Sequence, residues 1–257
     1  MATVPAADQA LAILRYLGRQ AGPTPAASIV RDLDLPRSTV YHLLATLADA
    51  GFVTRLADER RYALGLAAYE LGTGYVRQAP LQRISRVPLA DLVDRVGQSA
   101  HLAVLHGREV VYVIEERARG RPPLVTDVGV RLPAQLTASG RAMLARLPGS
   151  QVRALFPDAA AFVVRTGIGP RSPSALRSML VDVRRRGYAV EDGEVTVGFA
   201  SIASPVLDHS GHPVAGVAVT FAGSAVPAAA RERIAGLVAR TAATITRRIG
   251  GSVQPSA

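Results

Sequence analysis

The chain contains no cysteine, which excludes disulfide frameworks, thiolate metal sites and cysteine nucleophiles together. It contains no lysine either: all 30 basic residues are arginine, against 20 acids. Beside so much alanine, an all-arginine basic set reads as GC-rich codon usage rather than as a design for phosphate. The N-terminus MATVPAADQA lacks the basic-then-apolar pattern of a secretory signal, so a cytoplasmic location is expected. The one long uncharged run, 213–230, is broken by Gly216, Gly223, Ser224 and Pro227. It reads as a buried strand, a turn and a helix start, and no membrane partner is expected. Internal repeats are absent.

What is present is a chain of 257 residues, 49% hydrophobic, enough for about two domains of ordinary size. Its net charge of +10 is unevenly spread. Residues 1–65 hold seven arginines against six acids, 66–130 eight against seven, and 131–257 fifteen against seven. The excess therefore lies in the C-terminal half, and global charge by itself supports no nucleic-acid reading of the N-terminal part.

Apolar residues at Ala10, Leu11, Ile13, Leu14 and Leu17 predict a first helix over 7–20. Thr24-Pro25 predicts a second, with Thr24 as N-cap and Pro25 at the first helical position. Pro36 opens a third, in which Val40, Leu43, Leu44 and Leu47 form a buried stripe and Gly51 ends the helix. The segment FVTRLADERRYALG reads as a hairpin turning at Ala57, Asp58 and Glu59. Together these predict a winged helix-turn-helix over 1–65. A helix-like linker follows over 66–79, with a break expected at Gly72 and Gly74. Residues 80–250 read as an α+β domain: a helix to Val96, two strands around His106-Gly107-Arg108, a third at LVTDV (124–128), helices at 138–147 and 174–186, three more strands, and a long closing helix. The tail 251–257 is expected to be disordered.

No GxSxG signature is present, and no nucleophile, base and acid cluster in sequence, so no catalytic residues are assigned. Asp208, His209 and His212 fall in a hairpin turn without further ligands and read as a solvated turn, and no metal or cofactor is expected. His101 opens an apolar strand and reads as a satisfied core or pocket histidine. TGIGP near residue 168 lacks the strand-to-helix setting of a phosphate loop.

The third helix leaves Arg37, Ser38, Thr39, Tyr41, His42 and Thr46 outside its apolar stripe. A recognition helix touches base edges and phosphates with such donors, and the wing arginines Arg55, Arg60 and Arg61 could hold the neighbouring backbone. A helix with the same pattern could instead mediate dimerisation in a sensor that acts through a protein partner. An enzyme with a sensor-like body is a third reading.

The chain resembles the IclR-type transcriptional regulators. LPRSTVYHLLATLADAGFV followed by RRYALG is similar to that family's recognition helix and wing, and LGLAAYELG to its linker helix. VGVRLPAQLTASGRAMLARLP resembles its pocket loop and helix, and YAVEDGEVTVGFASIASPVLDHSGHPVAGVAVTF its C-terminal signature. The resemblance covers nearly the whole chain. It implies a GAF-like α/β effector-binding domain over 80–250 and a regulator, repressor or activator, of a pseudo-palindromic double-stranded DNA operator. It also implies a homodimer or dimer of dimers (a tetramer), and an effector that is a small organic acid or aromatic metabolite. Pocket positions carry over onto Leu124, Ala138, Ser139, Gly140, Glu191, Phe199, Ser201, Ala218 and Thr220, although Leu124, Phe199 and Ala218 could equally be core, and Ser139 and Glu191 capping groups. Ala138, Ser139 and Gly140 would offer backbone N–H groups to a carboxylate. Departures from the family include Ser201 in place of a frequent cysteine, His42 in place of a common arginine, and Asp34 where glycine is frequent, a residue that tolerates the left-handed conformation.

Overall fold

The computed structural model describes residues 4–78, 80–120 and 124–251, and divides into two compact units on either side of the Ala79/Pro80 boundary. The expected disordered tail lies outside the described residues except for Gly251.

The first unit runs α1 (Pro5–Leu17), β1 (Thr24–Pro25), α2 (Ala26–Leu33), α3 (Arg37–Asp49), β2 (Val53–Leu56), β3 (Arg61–Leu64) and α4 (Leu66–Gln78). Its core joins Ile13 and Leu17 of α1, Ile29 of α2, and Val40, Leu44 and Leu47 of α3 to Val53 and Tyr62 of the hairpin, with Leu43 half-buried at the edge. Asp34 between α2 and α3 sits at φ 51, ψ 45, the left-handed geometry that lets the chain reverse within two residues. Gly51, at φ 73, closes α3 in the same way.

Two expectations fail here. Thr24 does not cap α2: Thr24 and Pro25 pair with Tyr62 and Arg61 as a short third strand, giving the order β1-β3-β2. The Thr24 hydroxyl donates instead to Gly22 O at 3.2 Å, because the extended pairing turns it away from the helix. Nor is there a break at Gly72, since α4 is continuous from Leu66 to Gln78. A glycine in a helix interior costs roughly 1 kcal/mol relative to alanine but removes no hydrogen bond.

The second unit runs α5 (Pro80–Val96), β4 (Ser99–His106), β5 (Glu109–Glu116), β6 (Arg131–Pro133), α6 (Ala138–Leu144), α7 (Gly149–Leu155), α8 (Pro173–Arg186), β7 (Ala189–Asp192), β8 (Phe199–Leu207), β9 (Pro213–Ala222) and α9 (Ala228–Arg248). The strands form one antiparallel sheet, ordered β6-β5-β4-β9-β8-β7. On one face, Leu89 and Leu92 of α5 and Leu237, Val238 and Ile245 of α9 pack on Leu102, Ile202, Val217 and Val219. On the other, Ala142 and Met143 of α6 and Leu176 and Leu180 of α8 pack on Ala103, Ala203 and Ala218. Small residues on the second face leave room between sheet and helix. Pro88 inside α5 leaves the Ile84 carbonyl without its helical donor, and Arg248 Nη1 of α9 approaches that oxygen at 3.5 Å.

Residues 124–128 are irregular rather than a strand, and β6 takes the sheet edge instead. The turn before it is held by Gly129 N–H to Tyr112 O at 2.8 Å and Tyr112 N–H to Val130 O at 3.1 Å. This leaves the segment before the turn free to fold over the open face. The sequence reading also missed α7, a seven-residue helix too short to show an apolar period. The described residues contain no helix long and apolar enough to cross a membrane.

Candidate functional sites

In the first unit, Arg37, Ser38, Tyr41, His42 and Thr46 are exposed along α3 and Thr39 is half-buried. Pro36 occupies the N-cap and supplies no side-chain acceptor, so the first-turn N–H groups are left for solvent or an anion. The Arg37 guanidinium lies 5.6 Å from the centre of the Tyr41 ring, close enough for a cation–π contact. Thr46 turns its hydroxyl back onto His42 O at 3.1 Å. On the wing, Arg60 holds a left-handed φ of 52, and Arg61 Nη1 donates to Pro23 O at 2.9 Å, tying β3 to the strand beside it. Arg55 is exposed with them. The tip also carries Asp58 and Glu59, so its positive charge is modest.

In the second unit, a cavity with about 540 Å³ of free space, partly open to solvent, lies between α6 and the sheet. Its floor is a polar row set by strand register. Glu191 of β7 faces Ser201 of β8, and Ser201 faces Thr220 of β9. The Ser201 and Thr220 hydroxyls are 3.0 Å apart. Ala218, one pleat along, provides space, and Leu124 and Phe199 form apolar walls. The roof is the start of α6. Thr137 caps it by accepting the Gly140 N–H at 3.1 Å, and Ala138 and Ser139 line the cavity. Ser139 can descend this far because Gly216 lies beneath it: a Cβ at residue 216 would stand 3.0 Å from Ser139 O and 3.1 Å from its Cβ. The buried Ser139 hydroxyl has no hydrogen-bond partner among the described residues.

Eight of the nine expected pocket residues thus surround one cavity. Gly140 does not line it: its backbone packs on Ala134, where a Cβ would meet the carbonyl oxygen at 2.2 Å. With its N–H engaged by Thr137, it has none to offer a carboxylate. Tyr112, Thr126, Val195 and Thr196 also line the cavity and were missed. Tyr112 could have been inferred from strand alternation, but the other three sit on loops brought in by tertiary contacts.

Among the described residues Glu191 is the one charged residue in the lining. Burial raises its carboxyl pKa, an effect opposed by hydrogen bonds from Val195 N–H and Ser201. The Val195 bond is 3.0 Å to Oε1. Beside the floor, on the same face of the sheet and paired with Ala218, His101 is fully buried, edge-on to Tyr112 at 5.7 Å and 3.3 Å from Thr126 Oγ1 through Nε2. Burial, reinforced by Arg117, lowers its pKa to about 3, so it is a neutral packing group that steadies two cavity walls. Asp208 shapes its turn by accepting from Ser210 and from His212 N–H, and the Ser210 hydroxyl leads the lowering of its pKa. Among the described residues no three His, Cys, Asp or Glu side chains are grouped to hold a metal.

Comparison with known proteins matches residues 6–57 to the IclR helix-turn-helix domain and residues 73–247 to the bacterial transcriptional regulator IclR C-terminal domain. The glycerol operon regulatory protein of Streptomyces coelicolor is 33% identical over 215 residues, 84% of each chain. The crystal structure of Thermotoga maritima IclR superposes with a TM-score of 0.68 at 27% identity, covering 96% of this chain and 99% of that one. An IclR homolog from Microbacterium hydrocarbonoxydans, solved in complex with 4-hydroxybenzoate, shares the fold with a TM-score of 0.76 at 21% identity, over 95% and 98% of the two chains.

Proposed function

The chain belongs to the IclR family of bacterial transcriptional regulators, and from that premise we propose how its residues divide the work. The protein is a DNA-binding regulator that responds to a small molecule, and it is not an enzyme. DNA binding falls to residues 1–65, with 66–79 as a linker helix and 80–250 as the effector-binding domain. The α3 surface of Arg37, Ser38, Thr39, Tyr41, His42 and Thr46 enters the major groove of a pseudo-palindromic operator, and Arg55, Arg60 and Arg61 of the wing contact its backbone. The observation that carries this reading is the exposed, uncapped first turn of α3, where a cation and free N–H groups coincide.

The effector occupies the cavity between α6 and the sheet. Its polar lining consists of neutral hydroxyl groups and one acid that burial drives toward its protonated form. These can donate to a carboxylate or carbonyl, whereas an aromatic or aliphatic body fits against Leu124, Phe199 and Ala218. This chemistry supports a small organic acid or aromatic metabolite, the class to which the ligand of the Microbacterium homolog belongs. Binding at the two sites is coupled, and the coupling is reciprocal: an effector that weakens operator binding binds the DNA-bound protein less tightly by the same factor.

The working species is a homodimer or a dimer of dimers in the cytoplasm. Leu66 and Tyr69, one turn apart on α4, are 68% and 69% exposed, an apolar patch that a second copy would cover. A fluorescence-anisotropy titration of the full-length protein against DNA from its own upstream region tests the assignment. Arg37→Ala is expected to weaken binding about tenfold, the scale of losing one good base or phosphate contact. Unchanged affinity in both Arg37→Ala and Arg55→Ala/Arg60→Ala would remove these residues from the interface.

A further inference from the structure

The excess positive charge of the C-terminal half has no part in the reading above, and the structure gives it a place. Helices α7 and α8 leave a groove between them with about 680 Å³ of free space open to solvent. Its floor is apolar: the buried Phe156, just after α7, and Leu176 and Leu180 of α8 lie at its base, and Val152, Pro173 and Val181 carry its accessible apolar surface. Its rim is cationic, made by Arg153, Arg177 and Arg184, and among the described residues no acid lines it. Pro173, Leu176, Arg177, Leu180, Val181 and Arg184 recur at the spacing of one helical face. The groove is therefore a continuous stripe along α8, not a chance dent.

The rim charges are available. Arg153 and Arg177 make no ion pair or side-chain hydrogen bond among the described residues. Arg184 uses Nε on Ala145 O at 2.7 Å and keeps its outer nitrogens for a partner. Asp182, the acid on α8, is occupied by Arg185 at 2.8 Å. Val181 on the same face is 50% exposed and adds accessible apolar surface between the arginines.

We propose that this groove is a docking surface for an acidic amphipathic helix of a partner protein. Apolar side chains of the partner would seat on Val152, Pro173 and Val181, above the buried Phe156 and Leu180, while its carboxylates meet the arginine rim, the helix-in-groove mode of recognition. Two physical arguments select this occupant. A duplex nucleic acid would use the arginines but gains nothing from an apolar floor. A second copy of the chain offers no complementary helix, since none of α1 to α9 carries a net negative charge.

The test uses the full-length protein and a synthetic, fluorescein-labelled 18-residue helix of glutamate and leucine, with a second peptide in which serine replaces each leucine. Anisotropy titrations are expected to show micromolar binding of the first peptide. Binding should be at least tenfold weaker for the serine peptide and for Arg153→Glu/Arg177→Glu, and should fall as salt rises. Circular dichroism of that variant and its retained operator affinity separate lost docking from lost folding. Equal binding of both peptides, or full binding by the charge-reversed variant, overturns the proposal. So does competition by non-specific duplex DNA at the rim with no effect of Val181→Glu on peptide binding. A change of sedimentation coefficient in Val181→Glu alone would identify the groove as a self-interface and likewise overturn it.

Discussion

Arg141 and Glu194 form a buried ion pair of 2.8 Å that fastens the middle of α6 to the loop entering β8. The guanidinium also donates to Gln135 O at 2.8 Å and Val190 O at 2.7 Å, and Glu194 Oε2 accepts the Asp192 N–H at 2.5 Å. The pair thereby sets the position of Val195 and Thr196, which wall the cavity. Removing one partner leaves an uncompensated buried charge, so Arg141→Leu should lose about 3–5 kcal/mol of stability by urea unfolding. Arg141→Leu/Glu194→Leu should recover part of that loss, and only part, because the Gln135 and Val190 carbonyls remain without a donor. A single variant as stable as the parent would show that the pair does not hold the loop.

Gly216→Ala tests the close approach of β9 to the start of α6. The added methyl would meet backbone and Cβ atoms of Ser139 at 3.0–3.1 Å, and backbone cannot yield as a flexible side chain can. Overpacking of this kind costs about 1–3 kcal/mol, to be read from chemical denaturation. The amide resonance of Ser139 should shift at the same time, since relief requires α6 to lift from the sheet. An unmoved Ser139 signal with unchanged stability would contradict the geometry.

How much of this was legible in the sequence depends on the range of the interaction. The α3 stripe, the Asp34 reversal and the hairpins are local, set by side-chain period and turn chemistry, and each stands where its residues predict. Thr24-Pro25 misled because its helix-start pattern is also compatible with an extended edge pair, and only the arrival of β3 decides between them. Residues 124–128 alternate like a strand, yet β6 takes the sheet edge. Gly140 shows the limit at the cavity: proximity in sequence to Ser139 says nothing of which backbone atom faces inward. The floor row of Glu191, Ser201 and Thr220 needed three-strand register, and only the family resemblance singled those residues out.

His101 gives the folded protein an acid sensitivity of definite sign. The native site resists protonation until a pH of about 3, whereas an unfolded histidine takes up its proton near pH 6.5. Below about 6.5 the unfolded chain binds the extra proton, so stability contributed by neutral His101 is full above that pH and lost as pH falls toward 3. The loss approaches about 1.4 kcal/mol per pH unit. His101→Met should make the decline between pH 6.5 and 5 shallower by about that slope, measured by urea unfolding at several pH values. A His101 ring resonance that titrates between pH 7.5 and 5 would contradict the buried, neutral assignment.

Glu191 acts in the opposite direction and bears on the effector. Its carboxyl pKa is raised by burial, so the folded protein keeps this proton to a higher pH than the unfolded chain does. Stability from the protonated form is complete below the unfolded value of about 4.3 and is lost as pH rises from there through the folded value. Above that window the folded protein carries the cost of a buried charge, offset only in part by its hydrogen bonds and by Arg141. Glu191→Gln removes the charge, keeps an oxygen to accept the Val195 N–H, and supplies a permanent donor in place of the carboxyl proton. The variant should therefore be more stable than the parent at pH 7.5, with the difference shrinking toward pH 4, in urea unfolding at pH 4, 5.5 and 7.5. It should also keep its operator response if the effector presents an acceptor to this position. A response lost in the glutamine variant while the fold is intact would mean that the ionised carboxylate itself holds a cationic or strongly donating ligand group.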